Sequence, residues 1–204
     1  MARKIRRIRL KFKSAVLGDG QTEHYYFKHL KEIKGYRYSL RPYFFASISL
    51  SEADRLIDDL LNSGINKVFF ITDYDTVVNQ NTQQQFNSLI NKYKTINEVL
   101  ILETMPSIEF WFLLHYQFTT RPFLNASEAE VVLKRYLPNY NKKIAYLKDP
   151  QWVEELCSNN KTESAINNAR KGLKTKDEGN IDSHFPFTNI HIGIEEFEKQ
   201  KNRE

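Results

Sequence analysis

The chain reads as an α/β protein: a mostly parallel sheet flanked by helices, followed by a helical C-terminal appendage. Short apolar runs rich in aromatic and β-branched residues recur between segments of helical periodicity, and that regular alternation is the signature of βαβ units. The run Lys67-Val-Phe-Phe-Ile-Thr-Asp73 has the composition of a buried strand. Beyond residue 120 the pattern changes to helical segments separated by polar loops. The division expected is an α/β core over 1–120 and a helical extension over 121–204 packed on it.

Ser14 to Leu17 forms the tail of a first strand begun near Leu10. Gly18-Asp-Gly20-Gln makes a tight turn, with Thr22 as N-cap of a helix carrying Tyr26, Phe27, Leu30 and Ile33, stopped by Gly35. Tyr38 to Phe45 reads as a second strand, and Pro42 sends it to an edge or a bulge. Ser51 with Asp54 reads as a capping box before Leu56, Ile57, Leu60 and Leu61, a helix running to about Gly64. After the Lys67 strand, a polar loop over Asn79–Gln85 leads to a helix with Phe86, Leu89, Ile90 and Tyr93. Glu98 to Thr104 is the next strand. Ser107 to His115 starts a helix apolar nearly all round, the pattern of a buried one. Ser127–Leu137 (with Ser127 and Glu130 as a capping box), Thr162–Leu173 and Asn189–Lys199 read as the helices of the appendage.

With 41% hydrophobic and 27% charged residues, the composition is that of a globular chain. One cysteine, Cys157, excludes a disulfide framework and a cysteine-rich zinc site. No stretch approaches the roughly 18 apolar residues of a membrane helix, and no apolar segment follows the basic opening to make a secretory signal. A cytoplasmic location is the expectation. Seven of the first thirteen residues are Arg or Lys and the net charge is +5, which suits a phosphate-bearing partner or a merely solvated arm. The alternation Ile5, Ile8, Leu10, Phe12 also lets part of this arm lead into an edge strand.

Three acidic sites follow one another in the chain. Glu23 falls in the first turn of the first helix, after the glycines at 18 and 20. The turn is not a nucleotide P-loop, because no Gly-Lys-Ser/Thr follows, and it lacks the third glycine of a dinucleotide fingerprint. Asp73 and Asp75 close the Lys67 strand, and in extended backbone residues two apart point to one side. Glu109 stands among Ile108, Phe110, Trp111, Phe112, Leu113 and Leu114, where a buried carboxylate needs a cation or a shifted pKa. Glu103, at the end of its strand, is a spare candidate. Acidic groups placed just after parallel strands converge on one sheet edge. Oxygen ligands without clustered His or Cys suit Mg²⁺ or Mn²⁺.

The order Gly-x-Gly-x-Thr-Glu after a first strand, then Asp-x-Asp after a later one, resembles the Toprim fold of topoisomerases, primases and related nucleases. More closely, Gly18-Asp-Gly-Gln-Thr-Glu-His-Tyr-Tyr-Phe27, Asp73-Tyr-Asp75 and Ser107-Ile-Glu-Phe-Trp-Phe-Leu-Leu-His115 resemble the RloB-like family of bacterial defence proteins. Ala165-Ile-Asn-Asn-Ala-Arg170 and Phe187-Thr-Asn-Ile-His191 are similar to that family's C-terminal blocks, so the likeness covers nearly the whole chain. Asp19 stands where Glu is frequent, and Pro186-Phe-Thr188 replaces a more usual Pro-Ser-Thr, leaving no hydroxyl at 187. The resemblance implies a Toprim-like core and a metal-dependent nuclease, cutting tRNA, another RNA or DNA in anti-phage abortive infection, with a partner ATPase in control. It further implies Glu23 as acid/base or metal-associated carboxylate, Asp73 and Asp75 as metal ligands, and Glu109 as a further ligand or a water-positioning group. Its alternatives are a catalytically inactive adaptor of the same fold, or a nucleotide-binding sensor or phosphatase-like hydrolase. Whether the protein is a homo-oligomer stays open.

The remaining polar residues read more plainly. His115 is a core histidine, His191 with Thr188 and Asn189 caps the last helix, and His24 tunes Glu23, touches phosphate or is exposed. Arg170, Lys171 and Lys174 either grip a phosphate backbone or form a solvated face. Tyr25, Tyr26 and Tyr43 are base-stacking candidates or core residues.

Overall fold

In the computed structural model, which describes residues 12–18, 20–41, 48–179 and 184–202, strands and helices alternate through the first half of the chain. The order is β1 (Ser14–Gly18), α1 (Gln21–Lys34), β2 (Tyr38–Arg41), α2 (Leu50–Asn62), β3 (Lys67–Asp73), α3 (Tyr74–Asn79), α4 (Gln83–Tyr93) and β4 (Val99–Met105). The second half adds α5 (Ile108–Leu113), α6 (Ala126–Leu133), α7 (Ile144–Leu147), α8 (Gln151–Cys157), α9 (Lys161–Glu178), β5 (Phe187–Thr188) and α10 (Ile190–Asn202).

The strands lie in the order β2-β1-β3-β4-β5. The first four are parallel and β5 runs antiparallel to β4, with Thr104 opposite Thr188 and Met105 opposite Phe187. The fold is therefore α/β with a mostly parallel, helix-flanked sheet. Period-two alternation along β3 divides the core in two. Phe69 and Ile71 join one cluster with Tyr26, Phe27 and Leu30 of α1 and with α5 and α10. Val68 and Phe70 join a second with Ala53 and Ile57 of α2 and Leu89 of α4. The chain passes from β1 outward to β2, then returns across β1 to β3 and β4. That reversal makes a switch point between β1 and β3, where the loops after the two strands part and leave a crevice.

Helix boundaries follow caps that composition alone misplaces. α1 begins at Gln21 with Gly20 as N-cap, so Thr22 is a buried first-turn residue and not the cap. Gly35 ends the helix in the left-handed region at φ 69°. α2 is capped by Ser49, whose Oγ accepts from the Glu52 N–H at 3.2 Å, in place of the Ser51–Asp54 pair. The cap moves because Leu50 already packs on the core. α6 is capped by Asn125, which accepts from the Glu128 N–H at 3.1 Å, while Glu128 accepts in return from the Leu124 N–H at 3.2 Å. This reciprocal pair displaces Ser127 and Glu130 from the cap.

The second strand is a sheet edge, as Pro42 suggests, although residues 42–47 lie outside the described residues. Likewise β1 is described from Ser14; Leu10, Ile5 and Ile8 lie outside, and Phe12 is exposed and in no strand. Among the described residues, no helix is long and apolar enough to cross a membrane.

Residues 121–204 contribute a strand as well as helices, and α10 packs against β4. The Phe197 ring of α10 lies 4.5 Å from Phe69, 4.6 Å from Tyr38 and 5.5 Å from Tyr36, centre to centre. Phe197→Ala should therefore cost about 3–5 kcal/mol, read as a lower denaturant midpoint. An unchanged midpoint would place α10 outside the cooperative unit.

Candidate functional site

Gly20 stands where β1 gives way to α1, and its value is space. Its backbone is extended at φ −140°, ψ 154°, which any residue can adopt. A Cβ there, however, would lie 1.9 Å from Glu23 Oε2. The Glu23 carboxylate thus folds back over the bare glycine, buried at the carboxyl end of β1.

Across the switch point, Asp73 ends β3 and is the N-cap residue of α3. The helix starts immediately, so Asp75 lies in its first turn and the two aspartates do not share an extended stretch. The Asp75 N–H donates to the Pro106 carbonyl at 3.2 Å, which ties this turn to the end of β4. Burial raises the Asp75 carboxyl above the usual aspartate range; N–H groups of Thr76 and Ala126 oppose this, the Glu109 carboxylate adds to it, and Lys142 opposes it.

Glu109, in the first turn of α5, is fully buried. Three side chains meet it. Ser107 Oγ donates to Oε2 at 2.6 Å, Tyr140 OH donates to Oε1 at 2.7 Å, and Lys142 Nζ stands 2.9 Å from Oε1. Burial drives the Tyr140 hydroxyl far above its ordinary value, helped by the carboxylates of Glu109 and then Glu23. Burial alone would lower the Lys142 ammonium, yet Glu109, Asp73 and Glu130 together hold it above the ordinary lysine value. Lys142 and Tyr140 are therefore the groups on which all three acidic sites act. Neither is legible in the sequence: a buried carboxylate demands a cation, but among thirty basic residues nothing marks the one that answers.

The other candidates fall away from this centre. His115 is buried in the core with Nδ1 3.0 Å from the Trp111 carbonyl, and burial lowers it to about 4. His191 is buried behind Thr188, whose Oγ1 accepts from the Ile190 N–H, and Asn189 O accepts from the Ile192 N–H. His24 is buried, not exposed, and burial lowers its pKa. Glu103 is half-buried and raised by that burial, with Lys176 opposing. Tyr25 and Tyr26 are core residues; Tyr43 lies outside the described residues.

Among the described residues, no three His, Cys, Asp or Glu side chains are grouped so as to hold a metal ion together. The donor chemistry nonetheless fits a hard cation. The acids are carboxylates at one sheet edge, and Lys142 already places a positive charge among them. Mg²⁺ is usually bound by one or two carboxylates plus water and substrate phosphates, and needs no closed protein cage. Asp73 and Asp75 are the residues that would hold it, with Glu23 in the first turn after the neighbouring strand β1, while Glu109 is paired with Lys142.

The model of one protein family, described as RloB-like protein, matches residues 15–197. No curated protein and no solved structure matches the chain.

Asp75 yields a pH prediction. Its folded pKa is raised above the ordinary 3.8, so the folded state binds the proton more tightly and stability falls as pH rises through the folded value. Asp75→Asn should be more stable than the parent at pH 7 in thermal unfolding. The advantage should disappear below pH 3.8, where both folded and unfolded aspartate are protonated.

Proposed function

The chain belongs to the RloB-like protein family, and on that footing we propose that it is a Toprim-type, Mg²⁺- or Mn²⁺-dependent nuclease. Its substrate class is polynucleotide phosphodiesters, in tRNA or other RNA or in DNA. Its role is that of an effector in bacterial anti-phage abortive infection, acting in the cytoplasm under a partner ATPase. One observation carries the chemistry. Glu23 stands in the first turn after β1 and Asp73 and Asp75 at the end of the neighbouring β3, and Lys142, paired with the buried Glu109, lies in the field of Asp73.

Asp73 and Asp75 would hold the cation, which would supply charge neutralisation at the scissile phosphate and acidify an attacking water. Glu23, kept in place by the space over Gly20, accepts the proton of that water as its oxygen bonds to phosphorus and the ester oxygen departs. Glu109 keeps Lys142 charged and within the field of Asp73. There the ammonium faces the negative charge that builds on the phosphoryl oxygens. Tyr140 and Ser107 hold Glu109 from behind.

A second reading is the inactive adaptor of the same fold, and one observation favours it: the lack, among the described residues, of a ready three-ligand group. The two separate by experiment. Purified protein with Mn²⁺ or Mg²⁺, alone and with its ATPase partner, should cut labelled tRNA, single-stranded DNA or duplex DNA. Glu23→Gln and Asp73→Asn should each slow cutting by about 10²- to 10⁴-fold. Absence of cutting in every combination, or phage defence retained by a Glu23/Asp73/Asp75 triple variant, would hand the case to the adaptor.

Gly20→Ala tests the same assignment without touching a carboxylate. It should lower the cleavage rate about a hundredfold by displacing Glu23. The unfolding midpoint should hardly move, since alanine accepts the Gly20 backbone.

A further inference from the structure

Lysines meet aromatic rings three times along α9. Lys161 Nζ lies 4.8 Å from the centre of the Tyr116 ring, Lys171 Nζ 4.2 Å from that of Phe118, and Lys176 Nζ 3.3 Å from that of Phe187. The rings come from two lengths of chain, one leaving α5 and one carrying β5. A backbone bond joins them, from the Phe123 N–H to the His184 carbonyl at 3.3 Å. At 1.5 Å per residue, Lys161 and Lys171 are about 15 Å apart along the helix, and Lys176 lies about 7 Å further on.

This series leads to the carboxylate site. The Phe187 ring is 6.2 Å from the Tyr74 ring, and Tyr74 stands between Asp73 and Asp75. At the other end, Tyr116 stacks on the exposed Tyr136 at 4.9 Å and 13°.

The cations of α9 differ in how they are engaged. Lys161 pairs with Glu155, Arg170 with Glu195 at 2.8 Å and Lys174 with Glu178 at 3.7 Å. Among the described residues, Lys171 and Lys176 have no carboxylate within ion-pair distance. Burial lowers the Lys176 ammonium, with Glu103 and Asp177 opposing from further off. A half-buried ammonium lying on a ring keeps donors that an anionic oxygen would satisfy.

Net charge does not account for this. Seven of the thirty basic residues and none of the acidic ones lie in the first thirteen positions, which leaves 23 basic against 25 acidic side chains in the rest. Lys171 and Lys176, which have no carboxylate within ion-pair distance among the described residues, are a local feature of a sequence with no positive excess beyond its first thirteen positions.

We infer that α9, with the segments 116–123 and 184–187 beside it, is a binding track for single-stranded nucleic acid that leads the strand to the carboxylate site. Lys171 and Lys176 offer cations for phosphates, while the half-exposed Phe118 and the exposed Tyr136 offer ring surface for bases, the combination that single-strand binders use. A duplex hides its base faces and would leave the rings unused. The cutting at the end of the track rests on the nuclease reading; the binding does not.

Fluorescence anisotropy tests it with labelled oligouridylate and oligothymidylate of about twelve nucleotides, within the range of single-strand sites. Asp73→Asn protein in EDTA serves as the parent, so that nothing is cut. Lys171→Gln with Lys176→Gln should weaken binding about tenfold and flatten the salt dependence by about 0.7 for each phosphate no longer neutralised. Phe118→Leu, which keeps the apolar bulk and removes the ring face, should weaken it about fivefold or more. Arg55→Gln, on α2 across the sheet, should change nothing. Because Lys176 is half-buried, the exposed Lys171→Gln is read alone as well, with circular dichroism as the check on folding.

Unchanged affinity in the lysine and Phe118 variants overturns the track, and cleavage by wild-type protein would then leave the nuclease reading standing. Track-dependent binding without any cleavage leaves the track and removes the nuclease. Equal affinity for a duplex of the same length, equally weakened by the lysine changes, overturns the single-strand assignment in favour of a general phosphate patch.

Discussion

A carboxylate buried inside an aromatic helix organises this molecule. Glu109 is fully buried, and an ionised group there is tolerable only with a cation and with its remaining lone pairs filled. The polar stretch that follows α6 supplies the cation and one donor, and Ser107 supplies the other donor. Tyr140 and Lys142 close on Oε1 from thirty-one and thirty-three positions further along. To do so, the segment after α6 must cross the carboxyl edge of the sheet. Removing one member of such a pair typically costs about 3–5 kcal/mol, because the other is left charged and unpaired. Stability and the electrostatics of the crevice are thus set by the same contact: Lys142 answers Glu109 and lies in the field of Asp73.

Topology places the remaining groups. With β1 between β2 and β3, the chain leaves β1 and β3 toward different neighbours, the switch point at which open parallel sheets bind their ligands. Glu23 follows the first of these strands, and Asp73 and Asp75 stand at the end of the second. Asp75 is then bonded through its N–H to Pro106, and Pro106 immediately precedes the turn that carries Ser107 and Glu109. Three neighbouring strands therefore carry their acidic residues to the same edge of the sheet without long loops.

Much of this is legible in the sequence. The strands β1, β3 and β4 and the helices α1, α4, α9 and α10 follow from periodicity, and the acidic residues announce themselves by where they stand relative to the strands. Caps mislead because serine and threonine are frequent near helix starts. Which of them caps depends on where the first apolar residue must pack, as Leu50 shows for α2. Asp73 and Asp75 look extended because the strand pattern runs up to them, whereas α3 begins with no intervening loop. β5 has two residues, too few for any alternation to reveal. α7 and α8 are short for the same purpose. Lys142 and Tyr140 lie in a polar stretch with no period, and only the fold brings them to Glu109.

Asn189 illustrates how little a sheet margin needs. Its backbone N–H donates to the Glu103 carbonyl at 3.1 Å, its Oδ1 accepts from the Glu103 N–H at 2.7 Å, and its Nδ2 donates to the Ile101 carbonyl at 3.2 Å. One amide side chain thereby imitates the strand residues that β5 lacks and occupies the outer rungs of β4. An exposed margin of that kind invites strands from other molecules. Asn189 turns it into the first turn of α10, so the sheet is finished by the protein's own chain instead of remaining a template for fibrous growth.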